Sequence, residues 1–415
     1  MHTFRQLIEA AQPAASVIIS VALMLLSGFL MTRLTKLLRL PNVTAYIIAG
    51  ILIGPYCLDL VPQRIIDGTD FLSDIALAFI AFSTGEFFKL SVLKKSGMKV
   101  VWITLLEAFA ASAFVFVLTF FVFRLELAFS VVLAALASAT APASTMMTIR
   151  QTKAKGDFVD TLLQVVALDD VVGLVLYSVA ISIALASLGG NGGFSYGTLV
   201  KPVLLNLAAL VLGGLVGLVM KLLMPAKRST DNKLIISVAL LFAFCGVCAM
   251  MEVSPLLGCM AMGTVYTNIA ENDKLFKQLG YFSPPILLLF FVRSGMNFKL
   301  NALFSASGNL GGVPLIAVGV GYFLVRILGN YVGAWLGCAA VGKEKRTRNY
   351  LGLALIPQAG VAIGLAALGA RTLGGVMGND LETIILASSI LYELLGPGCA
   401  KLALYLSGSY STRLE

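Results

Sequence analysis

Apolar residues along this chain gather in long runs, and the polar residues fall into short clusters between them. A helix needs about 20 mostly apolar residues to cross the hydrocarbon core of a bilayer. Thirteen runs meet or approach that length, at approximately 14–32, 41–55, 70–88, 100–122, 127–149, 158–187, 198–222, 233–251, 255–270, 282–297, 313–341, 348–369 and 382–407. The pattern predicts an all-α polytopic membrane protein with about 13 transmembrane helices.

Composition agrees. The chain is 59% hydrophobic and 12% charged, against about 25% charged in soluble domains. No polar block is long enough for a soluble domain, so residues 1–415 are expected to form one transmembrane domain. The segment Met1–Pro13 lacks the basic start of a cleaved signal peptide, and the first run is expected to remain as a spanning helix.

The formal charge of +9 could suggest a nucleic-acid partner, but its distribution argues otherwise. The loops after odd-numbered runs, with the C-terminus, hold 21 of the 30 Lys and Arg residues, and the opposite side holds six. Basic residues accumulate on the cytoplasmic face of membrane proteins. The N-terminus is therefore expected outside and the C-terminus inside a plasma membrane. Nucleic acid is excluded as a partner and the lipid bilayer takes its place. His2 is the only histidine, and Cys245 and Cys248 form a C-x-x-C on an apolar run. No metal triad or nucleophile–base pair is visible, so neither an enzyme nor a cofactor is expected.

An internal repeat is legible. Thr84-Gly85-Glu86-Phe87-Phe88-Lys89-Leu90 and Ser294-Gly295-Met296-Asn297-Phe298-Lys299-Leu300 share [ST]-G-x-x-F-K-L at an offset of 210 residues. Pro41 and Pro255 open the second and ninth runs at an offset of 214, and Pro142 and Pro357 interrupt the fifth and twelfth at 215. A shift of seven runs is odd, so the copies have opposite orientation. Two inverted six-helix repeats, about 14–187 and 233–407, are expected, with a linker helix near 198–222. Paired interrupted helices in inverted repeats mark a transporter's site near the bilayer midplane. The interruptions lie in Ser138-Ala139-Thr140-Ala141-Pro142-Ala143-Ser144 and in Leu355-Ile356-Pro357-Gln358-Ala359-Gly360. Proline removes a backbone donor and frees a carbonyl one turn earlier, and such backbone is tolerated at depth only inside protein or beside a wet cavity.

Charged residues inside the runs supply the candidate chemistry. Asp169 and Asp170 stand together in the sixth run, where each carboxylate costs roughly 3 kcal/mol to insert. Adjacent residues sit about 100° apart on a helix, so the two acids should have different partners. Arg326 in the eleventh run needs an acid, and one of these aspartates is the natural choice. Glu86 and Arg293 form a second candidate pair, while Glu107 has no assigned role.

These residues resemble the monovalent cation/proton antiporter superfamily, in its sodium/proton exchanger-like, Kef-type branch. The resemblance rests on Asp-Asp after a helix broken at Ser-Ala-Thr-Ala-Pro-Ala, on Arg39–Pro55, on Leu355–Ala366 and on the deep Arg326. It implies a homodimer and elevator-like alternating access, with a mobile core at about 100–187 and 313–407. It implies that Asp170 binds the transported monovalent cation or a competing proton. Asp169 would then pair with Arg326, and Thr140 would lie beside the ion. The chain departs from the pattern in three respects. Arg326 replaces the lysine usual in electrogenic Asp-Asp members, Val166 stands where a hydroxyl is expected, and the branch's soluble nucleotide-binding tail is missing. The function expected is sodium/proton exchange serving pH homeostasis. A potassium/proton antiporter or a gated potassium efflux channel is the alternative on the same scaffold, and an organic-anion symporter would need a roomier polar pocket.

Overall fold

A computed structural model describes residues 2–37, 42–90, 97–188, 196–225, 227–251, 253–270, 274–298 and 312–410. Arg39, Pro41, Lys94, Lys95, Lys299, Leu300 and Arg413 lie outside the described residues. The helices in chain order are α1 (His2–Ala10), α2 (Pro13–Leu37), α3 (Asn42–Ile53), α4 (Gln63–Gly68), α5 (Phe71–Thr84) and α6 (Met98–Phe116). Next come α7 (Leu127–Leu136), α8 (Pro142–Thr152), α9 (Asp157–Leu188), α10 (Tyr196–Leu223), α11 (Thr230–Met250) and α12 (Leu256–Ile269). The last six are α13 (Lys274–Phe282), α14 (Pro284–Met296), α15 (Leu315–Ala340), α16 (Lys345–Ala354), α17 (Gly360–Leu373) and α18 (Gly375–Leu406). The protein is an all-helical polytopic membrane protein. Seven of the described helices are long and apolar enough to cross a bilayer, or eight if α13 and α14, bent by 46°, make one span. Five shorter apolar helices accompany them. Large apolar side chains such as Ile18 and Leu222 stand exposed on the long helices, as surfaces facing lipid tails do.

The chain divides into two compact units, Met1–Leu90 with Leu204–Leu300 and Ser91–Val203 with Asn301–Glu415. In the first, helices approach almost backbone to backbone through glycines. A Cβ on Gly50 of α3 would lie 2.0 Å from the Val292 carbonyl of α14, and one on Gly295 would lie 2.2 Å from the Ile47 carbonyl. A Cβ on Gly263 of α12 would lie 2.1 Å from the Phe82 carbonyl of α5, and one on Gly85 would lie 2.5 Å from the Thr264 nitrogen. Small residues permit such approach where lipid supplies no hydrophobic drive between helices. Offsets of 213 and 210 residues carry Gly50 onto Gly263 and Gly85 onto Gly295. One contact thus maps onto the other with its members exchanged, which is what an inverted repeat folded on itself produces.

In the second unit, α6 and α15 run antiparallel. Gly329, Gly333 and Gly337 face Ala111, Glu107 and Ile103, each close enough that an added Cβ would fall 2.6–2.7 Å from the opposing Cα. Val100, Ile103, Leu162, Val165, Val166, Leu351 and Leu355 belong to one buried apolar cluster. The predicted interruptions are present. Residues 137–141 separate α7 from α8, residues 355–359 separate α16 from α17, and the Ala141 N–H donates to the Pro357 carbonyl at 2.9 Å. The two breaks meet.

Candidate ion site at the helix crossing

The interruptions leave carbonyls without helical donors, and buried carbonyls need partners. Arg326 of α15, fully buried, supplies three. Its Nε donates to the Ala137 carbonyl at 2.8 Å, Nη2 to Ala139 at 2.7 Å and Nη1 to Ile356 at 2.9 Å. Gln358 donates to the carbonyls of Leu136 and Ala139 at 2.7 and 3.2 Å and accepts the Tyr322 hydroxyl at 3.0 Å. Asn330 donates to the Leu355 carbonyl at 3.2 Å. The Tyr392 ring lies 4.7 Å from the guanidinium.

The expected Asp169–Arg326 ion pair does not form. The ends of α7 and α16 carry the partial negative charge of helix C-termini, and a planar guanidinium with five donors satisfies several such carbonyls at once. Asp169 instead accepts the Thr140 hydroxyl at 3.1 Å through one oxygen. Its other oxygen has no donor, and Glu107 of α6 lies within hydrogen-bonding reach. Both Glu107 oxygens lack any donor, as does Oδ1 of Asp170. Asp169 and Glu107 are fully buried, and Asp170 is 2% exposed. Gly173, one turn beyond Asp169, leaves room for Ser138 and Ala139 of the interruption to lie against α9. Glu107, Asp169 and Asp170 are therefore buried acids with no basic partner bonded to any of them, because Arg326 is taken by carbonyls. A proton or a cation is what such a site can take up.

The family model described as "Sodium/hydrogen exchanger, transmembrane" matches residues 19–402. The chain belongs to this sodium/hydrogen exchanger family. The exchanger is 21% identical over 387 residues to "Probable Na(+)/H(+) antiporter 3" of Methanocaldococcus jannaschii, an alignment covering 89% of this chain and 92% of that one. Its fold is similar to that of the sodium proton antiporter MjNhaP1 from the same organism at pH 8, with a TM-score of 0.73 and 20% identity over 94% of this chain and 99% of that one. An electron-microscopy map of MjNhaP1 gives the same TM-score at 19% identity, covering 97% and 100%. Identities this low establish the fold, so the chemistry rests on this exchanger's own residues.

The exchanger's second expected pair, Glu86–Arg293, is also absent. Arg293 of α14 pairs with Asp70 at 2.8 Å and donates to the Ile66 carbonyl at 2.9 Å. Asp70 stands just before α5 and Ile66 near the C-terminal end of α4, so an acid and a helix-end carbonyl share the guanidinium. Glu393 of α18 is a further buried acid in the exchanger that the sequence pattern does not single out. Its signal was a carboxylate within the apolar Leu391-Tyr392-Glu393-Leu394-Leu395, four residues before Pro397.

Proposed function

We propose that this protein is a secondary active antiporter that exchanges sodium for protons by alternating access at Asp169 and Asp170. The observation that carries this reading is the buried Asp170 carboxylate, which has an oxygen without a donor and adjoins Asp169, itself hydrogen-bonded to Thr140 of the crossing. Arg326 is already engaged with the crossing's carbonyls, so its charge offsets those dipoles and leaves Asp170 open to a mobile cation. An ionised carboxylate with no partner is costly at this depth. Either a sodium ion or a proton relieves that cost, and the two exclude each other. Only the occupied, neutralised site crosses readily, which makes the exchange obligatory. Asp170 is the carrier, Asp169 with Thr140 shapes the site beside it, and the crossing held by Pro142, Pro357, Gln358 and Arg326 fixes their position. An elevator-like movement of a core at about 100–187 and 313–407, a homodimer in the plasma membrane, and a cytoplasmic C-terminus complete the proposal.

Proteoliposomes loaded with a pH indicator and challenged with lithium, sodium, potassium and rubidium test it. Sodium-driven proton movement that saturates supports the reading. Saturable exchange with potassium alone would move the assignment to potassium/proton antiport, and non-saturating flux without counter-transport would make the protein a channel.

A further inference from the structure

Glu393 lies 1% exposed in the middle of α18. Its hydrogen-bonding partner is the Ser144 hydroxyl, which donates to the carboxylate with its oxygens at 2.8 and 2.7 Å. Ser144 is the third residue of α8, directly after the first interruption. On the other side, Gly396, one turn beyond Glu393, packs so closely that an added Cβ would fall 2.7 Å from Cγ of Pro357 in the second interruption. Glu393 therefore touches one half of the crossing and is carried on a turn pressed against the other. Pro397 lies inside α18, and its missing N–H leaves the Glu393 carbonyl without its helical donor. Ser389, one turn earlier on the same helix, is fully buried with no hydrogen-bond partner. Polar groups thus collect here inside an otherwise apolar stretch.

Among the described side chains no cation pairs with this carboxylate. The helices packed against α18 carry Tyr322, Arg326, Tyr331 and Cys338 on α15, Lys345, Arg346, Arg348 and Tyr350 on α16, Arg371 on α17, and Arg150 on α8, six residues beyond Ser144; α7 has no titratable residue. On α18 itself the other titratable groups are Asp380, Glu382, Tyr392, Cys399, Lys401 and Tyr405. Among the described side chains Glu393 is hydrogen-bonded to Ser144 and to none of these, and Arg326 is taken by the crossing's carbonyls. A buried charge without a partner is neutralised by taking up a proton. The Ser144 hydroxyl and the N-terminal end of α8 favour the ionised form. Two opposing influences on one carboxyl allow it to change state.

We propose that Glu393, with Ser144, is a second proton-binding site of this transporter, separate from Asp169 and Asp170 and linked to the crossing through α8. Uptake of the proton turns the carboxyl from a pure acceptor into a donor. The protonated carboxyl still accepts through its carbonyl oxygen and now also donates, so the Glu393–Ser144 contact weakens or reverses its direction and the start of α8 responds. Glu393 is a positioning residue in this scheme and does not carry the transported cation. The proposal holds whichever cation is exchanged.

Infrared difference spectra of the purified full-length protein in lipid, recorded as pH is stepped, test it directly. The wild type should show a protonated-carboxyl band that disappears on alkalinisation. That band should be absent in Glu393→Gln and retained in Asp170→Asn. In Ser144→Ala it should persist to higher pH, because the ionised form has lost its donor. Gln keeps the size of Glu and still accepts the serine hydroxyl, so the fold should survive; Ser144→Ala reads the same site if it does not. In proteoliposomes, Glu393→Gln should flatten one limb of the pH profile while the half-saturating sodium concentration changes less than about twofold. Spectra of Glu393→Gln that superimpose on the wild type at every pH overturn the proposal. So does a half-saturation shifted tenfold or more with the pH profile intact, which would make Glu393 a cation ligand.

Discussion

Arg326 donates to three carbonyls from two interruptions, and that choice separates its role from that of Asp169. Removing one member of a buried ion pair costs about 3–5 kcal/mol. With no such pair at Asp169, Asp169→Asn should lower stability by less than about 1 kcal/mol, the worth of a single neutral hydrogen bond. Arg326→Gln strands several buried acceptors, at about 1–3 kcal/mol each, and should lower the melting temperature sharply. Arg326→Lys keeps the charge but not the planar fork and should fall between. Thermal unfolding of the three variants in one detergent ranks them, and equal losses in Asp169→Asn and Arg326→Gln would restore the ion pair. Asp170→Asn should retain the fold and lose exchange, since an amide neither titrates nor offers a charge; normal turnover in that variant would remove Asp170 as carrier. The identity of these residues was legible in the sequence because intramembrane charges are rare. Their partners were not, because a sequence displays acids as candidates for an arginine and hides the carbonyls that an interrupted helix exposes.

At the level of helices, the glycine contacts in the first unit predict a contrast. Gly50→Ala places a methyl 2.0 Å from a carbonyl oxygen, and overpacking of this kind costs about 1–3 kcal/mol. Gly246, within α11, has nothing within 4 Å of an added Cβ, so Gly246→Ala should be neutral or stabilising by roughly 0.5–1 kcal/mol. Melting curves that moved together would contradict the close α3–α14 packing. The interruptions themselves were readable, since Pro142 and Pro357 break apolar runs at matching repeat positions. The bend between α13 and α14 escaped the pattern, although Ser283-Pro284-Pro285 marks it. Helix lengths were also overstated, because hydropathy runs on smoothly through the turns 137–141 and 355–359.

For the molecule as a whole, competition between protons and cation for one site fixes the sign of its pH response. Acidification should raise the half-saturating sodium concentration, and a value that stays constant as pH changes would break the link between the two ions. Orientation has its own test. Cys57 is exposed, while Cys245, Cys248, Cys259 and Cys338 are buried, and the proposed orientation places the loop holding Cys57 outside. A membrane-impermeant maleimide should label intact cells at Cys57 and not in Cys57→Ser; labelling confined to inverted vesicles would reverse the topology. The division of the chain also bears on how the protein is made. Each compact unit draws on two separate stretches, and the second is complete only with Asn301–Glu415. During synthesis Glu107, Asp169 and Asp170 enter the bilayer well before the ribosome reaches Arg326. The carbonyls of 137 and 139 must likewise wait for their guanidinium. The nascent chain therefore passes through a stage in which its most polar backbone and three acids have only each other, water or the insertion machinery for company. A ribosome stalled near residue 300 would hold it in that state, and substitutions at Arg326 should reduce membrane yield as well as the stability of the finished protein.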